Sequence, residues 1–109
     1  MSGNVKLDAS TNGGRIEVAR GQTVVVSLES NPTTGYSWEL SKLDQDVLRQ
    51  VGDSTYQSSH PHRLGSGGLQ TFHFEAGNAG TTTLVLIYRR PWEKSLDPAD
   101  TYTVEIGVR

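Results

Sequence analysis

The chain reads as an all-β protein: an immunoglobulin-like antiparallel β-sandwich of about seven or eight strands, closed without a disulfide. Three observations predict this. Apolar residues alternate with polar ones at period two through most of the chain. Clusters of Gly, Pro and Asn punctuate those runs at short intervals. No segment sustains a long helical period.

Taken in order, Val5, Leu7 and Ala9 fit a first strand, ended by Thr11-Asn12-Gly13-Gly14. Ile16 and Val18 mark a short second piece. Residues 22–29 form a strong strand with Val24, Val26 and Leu28 on one face. Tyr36, Trp38 and Leu40 alternate with Ser37, Glu39 and Ser41 to give the next, over 36–41. Leu43, Val47 and Val51 share the face of a short helix, but Gly52 and the β-rich surroundings favour a short strand and another near 54–58. Phe72 and Phe74 alternate with Thr71, His73 and Glu75 along 69–76. Residues 82–88 are continuously β-branched or apolar, as in a central strand buried on both faces. In the last strand, 101–109, Tyr102, Val104, Ile106 and Val108 face inward while Thr103, Glu105 and Arg109 face out.

Residues 1–109 make a single domain, since 109 residues suffice for one core and no linker divides them. A net charge of −2 lacks the basic surplus of a nucleic-acid binder. No apolar run approaches the length that spans a bilayer, and residues 1–14 are polar rather than leader-like. Without a signal peptide the default is the cytoplasm, with vesicular or secreted delivery also compatible, and a monomer is expected. The opening Met1 and the full last strand argue against an accessory domain of a larger protein. The absence of cysteine excludes disulfides, thiolate metal sites and a Cys nucleophile, and leaves the redox compartment open. Asn31-Pro32-Thr33 is no glycan acceptor, because proline occupies the middle position.

Successive antiparallel strands put alternate connections at one end of a sandwich. The connections 31–35, 58–68 and 90–100 then share an end, provided 42–53 adds no odd reversal, and these three are the unusual ones. The first, Asn31, Pro32, Thr33, Thr34, Gly35 and Tyr36, satisfies plain turn chemistry, with Asn-Pro to start and Gly to supply a positive φ. Two adjacent β-branched threonines are nevertheless poor choices for a solvated tip, and a stiff tip suits insertion into a cleft. Tyr36 and Trp38 sit at strand spacing and suit the core.

In the second, Gly65, Ser66, Gly67 and Gly68 allow a hinge, a bulge, or an exposed backbone able to pair with another chain. The third, Arg90, Pro91 and Trp92, puts an indole on a loop, either as a lid over the core or as an anchor awaiting a partner. His60, His62 and His73 have no carboxylate at ligand spacing, so no metal site or other cofactor is expected. With no Gly-x-Ser-x-Gly elbow and no acid–base carboxylate pair, the chain offers nothing for an enzyme to use.

These three ordered motifs resemble the chagasin-type inhibitors of papain-like cysteine peptidases, over essentially the whole domain. Asn-Pro-Thr-Thr-Gly-aromatic is Asn31 to Tyr36, Gly-x-Gly-Gly is Gly65 to Gly68, and Arg-Pro-Trp is Arg90 to Trp92. The resemblance implies an immunoglobulin-like fold and a three-part wedge that inhibits reversibly. In it Thr33, with Thr34 beside it, would approach the catalytic Cys–His pair of the peptidase. The Gly65–Gly68 loop would pair along the cleft by its backbone, and Arg90 and Trp92 would grip the primed side. The competing reading is an immunoglobulin-like carbohydrate-binding or adhesion module with Trp92 as a stacking platform. The natural target, and whether it belongs to the same cell or to a host, is not written in the chain.

Overall fold

The structure, a computed structural model, describes residues 4–31, 34–58, 67–90, 92–93 and 97–109. Nine strands are present among them: β1 (Asn4–Leu7), β2 (Arg15–Val18), β3 (Thr23–Ser30), β4 (Ser37–Lys42), β5 (Leu48–Gln50), β6 (Thr55–Ser58), β7 (Gly68–Ala76), β8 (Gly80–Arg89) and β9 (Asp100–Val108). They form two sheets. One runs β1-β3-β7-β5, with β6 also against β7; the other runs β2-β9-β8-β4. Strands β5 and β6 lie end to end along the same edge of β7, opposite Phe74–Ala76 and Gly68–Thr71 respectively.

The period-two pattern places the core between the sheets. Val24, Val26 and Leu28 of β3 and Phe72 and Phe74 of β7 face Leu84 and Leu86 of β8 and Tyr102, Val104 and Ile106 of β9, all essentially solvent-free. Each of these buried side chains contributes roughly 1.5–3 kcal/mol of transfer free energy. Without a disulfide, a buried amide joins the layers. Gln70 of β7 accepts from the Trp38 amide of β4 and donates to the Trp38 carbonyl, both at 2.8 Å, and donates also to Ser54 Oγ at 3.0 Å. Gln70 thus stands in for a strand neighbour across the gap, and its own buried polar atoms are satisfied.

The structure departs from the sequence reading in three places. Ala9 belongs to a 3-10 turn rather than to the first strand, because the Asp8 carboxylate accepts the Ser10 amide and caps the turn. Pairing is antiparallel from β3 onward, but β1 runs parallel to β3 and β2 parallel to β9. Between β1 and β3 the chain crosses to the opposite sheet as β2 and so returns running the same way. Strand β8 is central in its sheet yet buried on one face only. Thr82, Leu84 and Leu86 are covered, whereas Thr83, Val85 and Ile87 are half-buried on a face that no third layer covers among the described residues. Their β-branched shapes suit a pleated strand with either degree of burial.

Candidate functional site

Strand register brings the three motifs to one end. Ser30, the last residue of β3, stands opposite Gly68, the first of β7, and Gly68 also faces Ser58. In the other sheet Ser37 opens β4 opposite Arg89 at the close of β8, and Asp100 opens β9 opposite Tyr88. Two bonds cross between the layers here: the Asn31 amide donates to the Tyr88 hydroxyl at 3.0 Å, and the Trp38 indole N–H donates to the Glu29 carbonyl at 2.9 Å.

The inner face of β4 and β8 continues past the core into the site. Leu40 faces Leu86 and Trp38 faces Tyr88. One rung further, the same parity sets Tyr36 across from Arg90. The aromatic rings bear this out. Tyr88 packs against Trp38 with centroids 5.0 Å apart and stacks on Tyr36 at 5.3 Å, and the Arg90 guanidinium lies 4.6 Å from the Tyr36 ring centre. A cation over an aromatic face gains from the ring quadrupole. Arg90 Nε also donates to the Thr34 carbonyl at 3.0 Å, and its Nη1 sits 3.5 Å from the Glu93 carboxylate.

Within itself the first loop is closed by turn chemistry. The Asn31 carbonyl accepts both the Thr34 amide, at 3.1 Å, and the Thr34 hydroxyl, at 2.7 Å. Gly35 has φ +86°, in the region where a side chain is strained. A Cβ there would also fall 2.6 Å from Trp92 Cη2, so any side chain at this position would displace the indole. The indole of Trp92 therefore lies over Gly35 while the residue stays 70% exposed. It seals no core, so the lid reading fails. In the second motif, the Gly67 backbone passes so close to β3 that a Cβ would lie 3.1 Å from the Ser30 carbonyl oxygen.

Of the sequence-predicted site residues, Asn31, Thr34, Gly35, Tyr36, Gly67, Gly68, Arg90 and Trp92 gather at this end. Pro32, Thr33, Gly65, Ser66 and Pro91 lie outside the described residues, as do His60 and His62. Tyr36, assigned by its spacing to the core, is half-buried above it. Sequence reasoning gave no role in the site to Tyr88 or Glu93. Tyr88 was legible in principle, since it lies two residues before Arg90 and so shares its face of the strand.

The chain is similar to several known proteins. The model of the chagasin family peptidase inhibitor I42 matches residues 17–106. Chagasin of Trypanosoma cruzi is 32% identical over 102 residues, which span 91% of this chain and 93% of chagasin. The crystal structure of the cysteine protease inhibitor EhICP2 from Entamoeba histolytica superposes with a TM-score of 0.83 at 23% identity, covering 97% of this chain and 95% of that one. PbICP-C, solved in complex with falcipain-2, has the same fold, with a TM-score of 0.66 at 17% identity over 99% of this chain and 91% of its own.

Proposed function

The chain belongs to the chagasin family of peptidase inhibitors, and on that footing we propose that it is a reversible, tight-binding inhibitor of papain-like cysteine peptidases. Its targets are enzymes of the cathepsin L type and, with the first loop forced into a partly blocked cleft, of the cathepsin B type. The observation that carries this reading is an indole exposed at the end of the sandwich where the three motifs converge, packed over Gly35 and away from the core. An aromatic presented on a stiff support loses little entropy on docking.

In this arrangement Thr33 at the tip of the first loop meets the catalytic Cys–His pair, with Thr34 behind it closing the turn. Residues 65–68 lie along the cleft and pair through their backbone. Trp92 packs on the primed side. The protein has no nucleophile or electrophile suited to an adduct, so inhibition is non-covalent. A loop held out of attack geometry resists cleavage.

The test is titration of papain, a cathepsin L and a cathepsin B with the purified protein, with trypsin as control. Near-stoichiometric loss of activity in the cysteine peptidases alone is expected. Full papain activity at micromolar inhibitor would overturn the reading and leave the carbohydrate-binding alternative. Thr33→Ala tests the tip: a loss of about 1–2 kcal/mol is expected if its hydroxyl is hydrogen-bonded in the cleft, read from inhibition constants.

A further inference from the structure

Arg90 is the one cation in the three motifs, and an exposed arginine on a binding loop ordinarily meets a partner's carboxylate. Its surroundings here point inward. The guanidinium carbon lies over the Tyr36 ring, Nε is committed to the Thr34 carbonyl, and Nη1 faces Glu93. All three partners belong to this chain, and two of them belong to the first loop. Tyr36 in turn stacks on Tyr88, whose hydroxyl receives the Asn31 amide at the start of that loop. The chain of contacts closes at Trp92, whose ring lies over Gly35 between Thr34 and Tyr36.

We propose that Arg90 is a positioning residue: it fastens the third loop to the first through Tyr36 and Thr34, with Glu93 of its own loop holding the guanidinium from the other side, on a platform supplied by Tyr88, and so holds Trp92 in its docking pose. The guanidinium is suited to this because it offers a flat face and a fork of N–H groups at once. A lysine keeps the charge and has neither. A rigid pair of loops needs less ordering when it binds, so the inward contacts raise affinity without touching the peptidase. The affinity part of this proposal rests on the inhibitor reading above; the effect on Trp92 does not.

The experiment uses the full chain labelled with 5-fluorotryptophan, the Trp92 resonance being identified by its loss in Trp92→Phe. Fluorine relaxation of that resonance is measured in the free protein for wild type, Arg90→Lys, Tyr36→Leu and the double variant. Affinity for papain is measured alongside. Arg90→Lys is expected to increase indole motion and to weaken papain binding about tenfold, the scale of one anchor set loose. Its effect on Trp92 should nearly vanish once Tyr36→Leu has removed the platform. Unchanged Trp92 relaxation in Arg90→Lys overturns the proposal, whether or not binding falls. Recovery of full affinity by lysine overturns it too, since charge alone would then suffice. If wild type fails to bind papain, the inhibitor reading fails, while the relaxation data still decide whether Arg90 holds Trp92.

Discussion

Replacing Trp92 with Ala removes an indole that is 70% exposed and supports no core residue. Affinity for a papain-like peptidase should fall by about 2 kcal/mol or more, as for other buried aromatic anchors. The melting temperature should hardly move; a steep fall in calorimetry would show that the ring supports the fold. Gly35→Ala acts the other way round. The new methyl meets the Trp92 ring and forces an L-residue to φ +86°, at a cost of about 1–2 kcal/mol for the backbone alone. Both stability and inhibition should therefore suffer, visible in a denaturation midpoint and an inhibition constant. At Tyr102 burial lifts the phenol above its ordinary value of 10.0. Folding then favours the protonated form. The contribution is whole below the unfolded value and is lost as pH rises through the folded one. Tyr102→Phe should flatten that part of the alkaline stability profile, measured by urea unfolding.

At the scale of strands, Gln70 ties β7 to β4 across the sandwich. Gln70→Leu deletes the partners of the Trp38 amide and carbonyl in a buried setting. A destabilisation of about 2–3 kcal/mol is expected, checked by the denaturant midpoint, and no measurable change would mean that water replaces the amide. Most strands were legible from alternation, because one buried face imposes period two; the two short pieces within 43–57 were legible only from Gly52 and their β-rich surroundings, since Thr55, Tyr56 and Gln57 are all exposed. Convergence of the three motifs was legible from counting reversals. Partners were harder. The parallel placement of β1 and β2 depends on which sheet each strand joins, and alternation carries no record of that. Nor did alternation reveal that Arg90 turns inward, because a cation on a loop has the same sequence signature whether it serves a neighbour or a guest.

For the molecule as a whole, β2 alongside β9 has a consequence in time. Arg15 pairs with Glu105, ninety residues away, and β1 must wait for β3 while the chain detours through the other layer. Closing long loops precedes any reward from such pairings, so folding should be slow for a chain of this length, in milliseconds to seconds. The interior strands β3, β7, β8 and β9 are the natural nucleus. Val18→Ala, on β2, should then raise the unfolding rate and leave the refolding rate nearly unchanged in a stopped-flow chevron. A ribosome-bound chain cannot complete its second sheet until β9 has emerged from the exit tunnel. Until then Ile106 and Val108 are not yet available to cover Val18, and the nascent domain displays an unpaired edge that a chaperone can recognise.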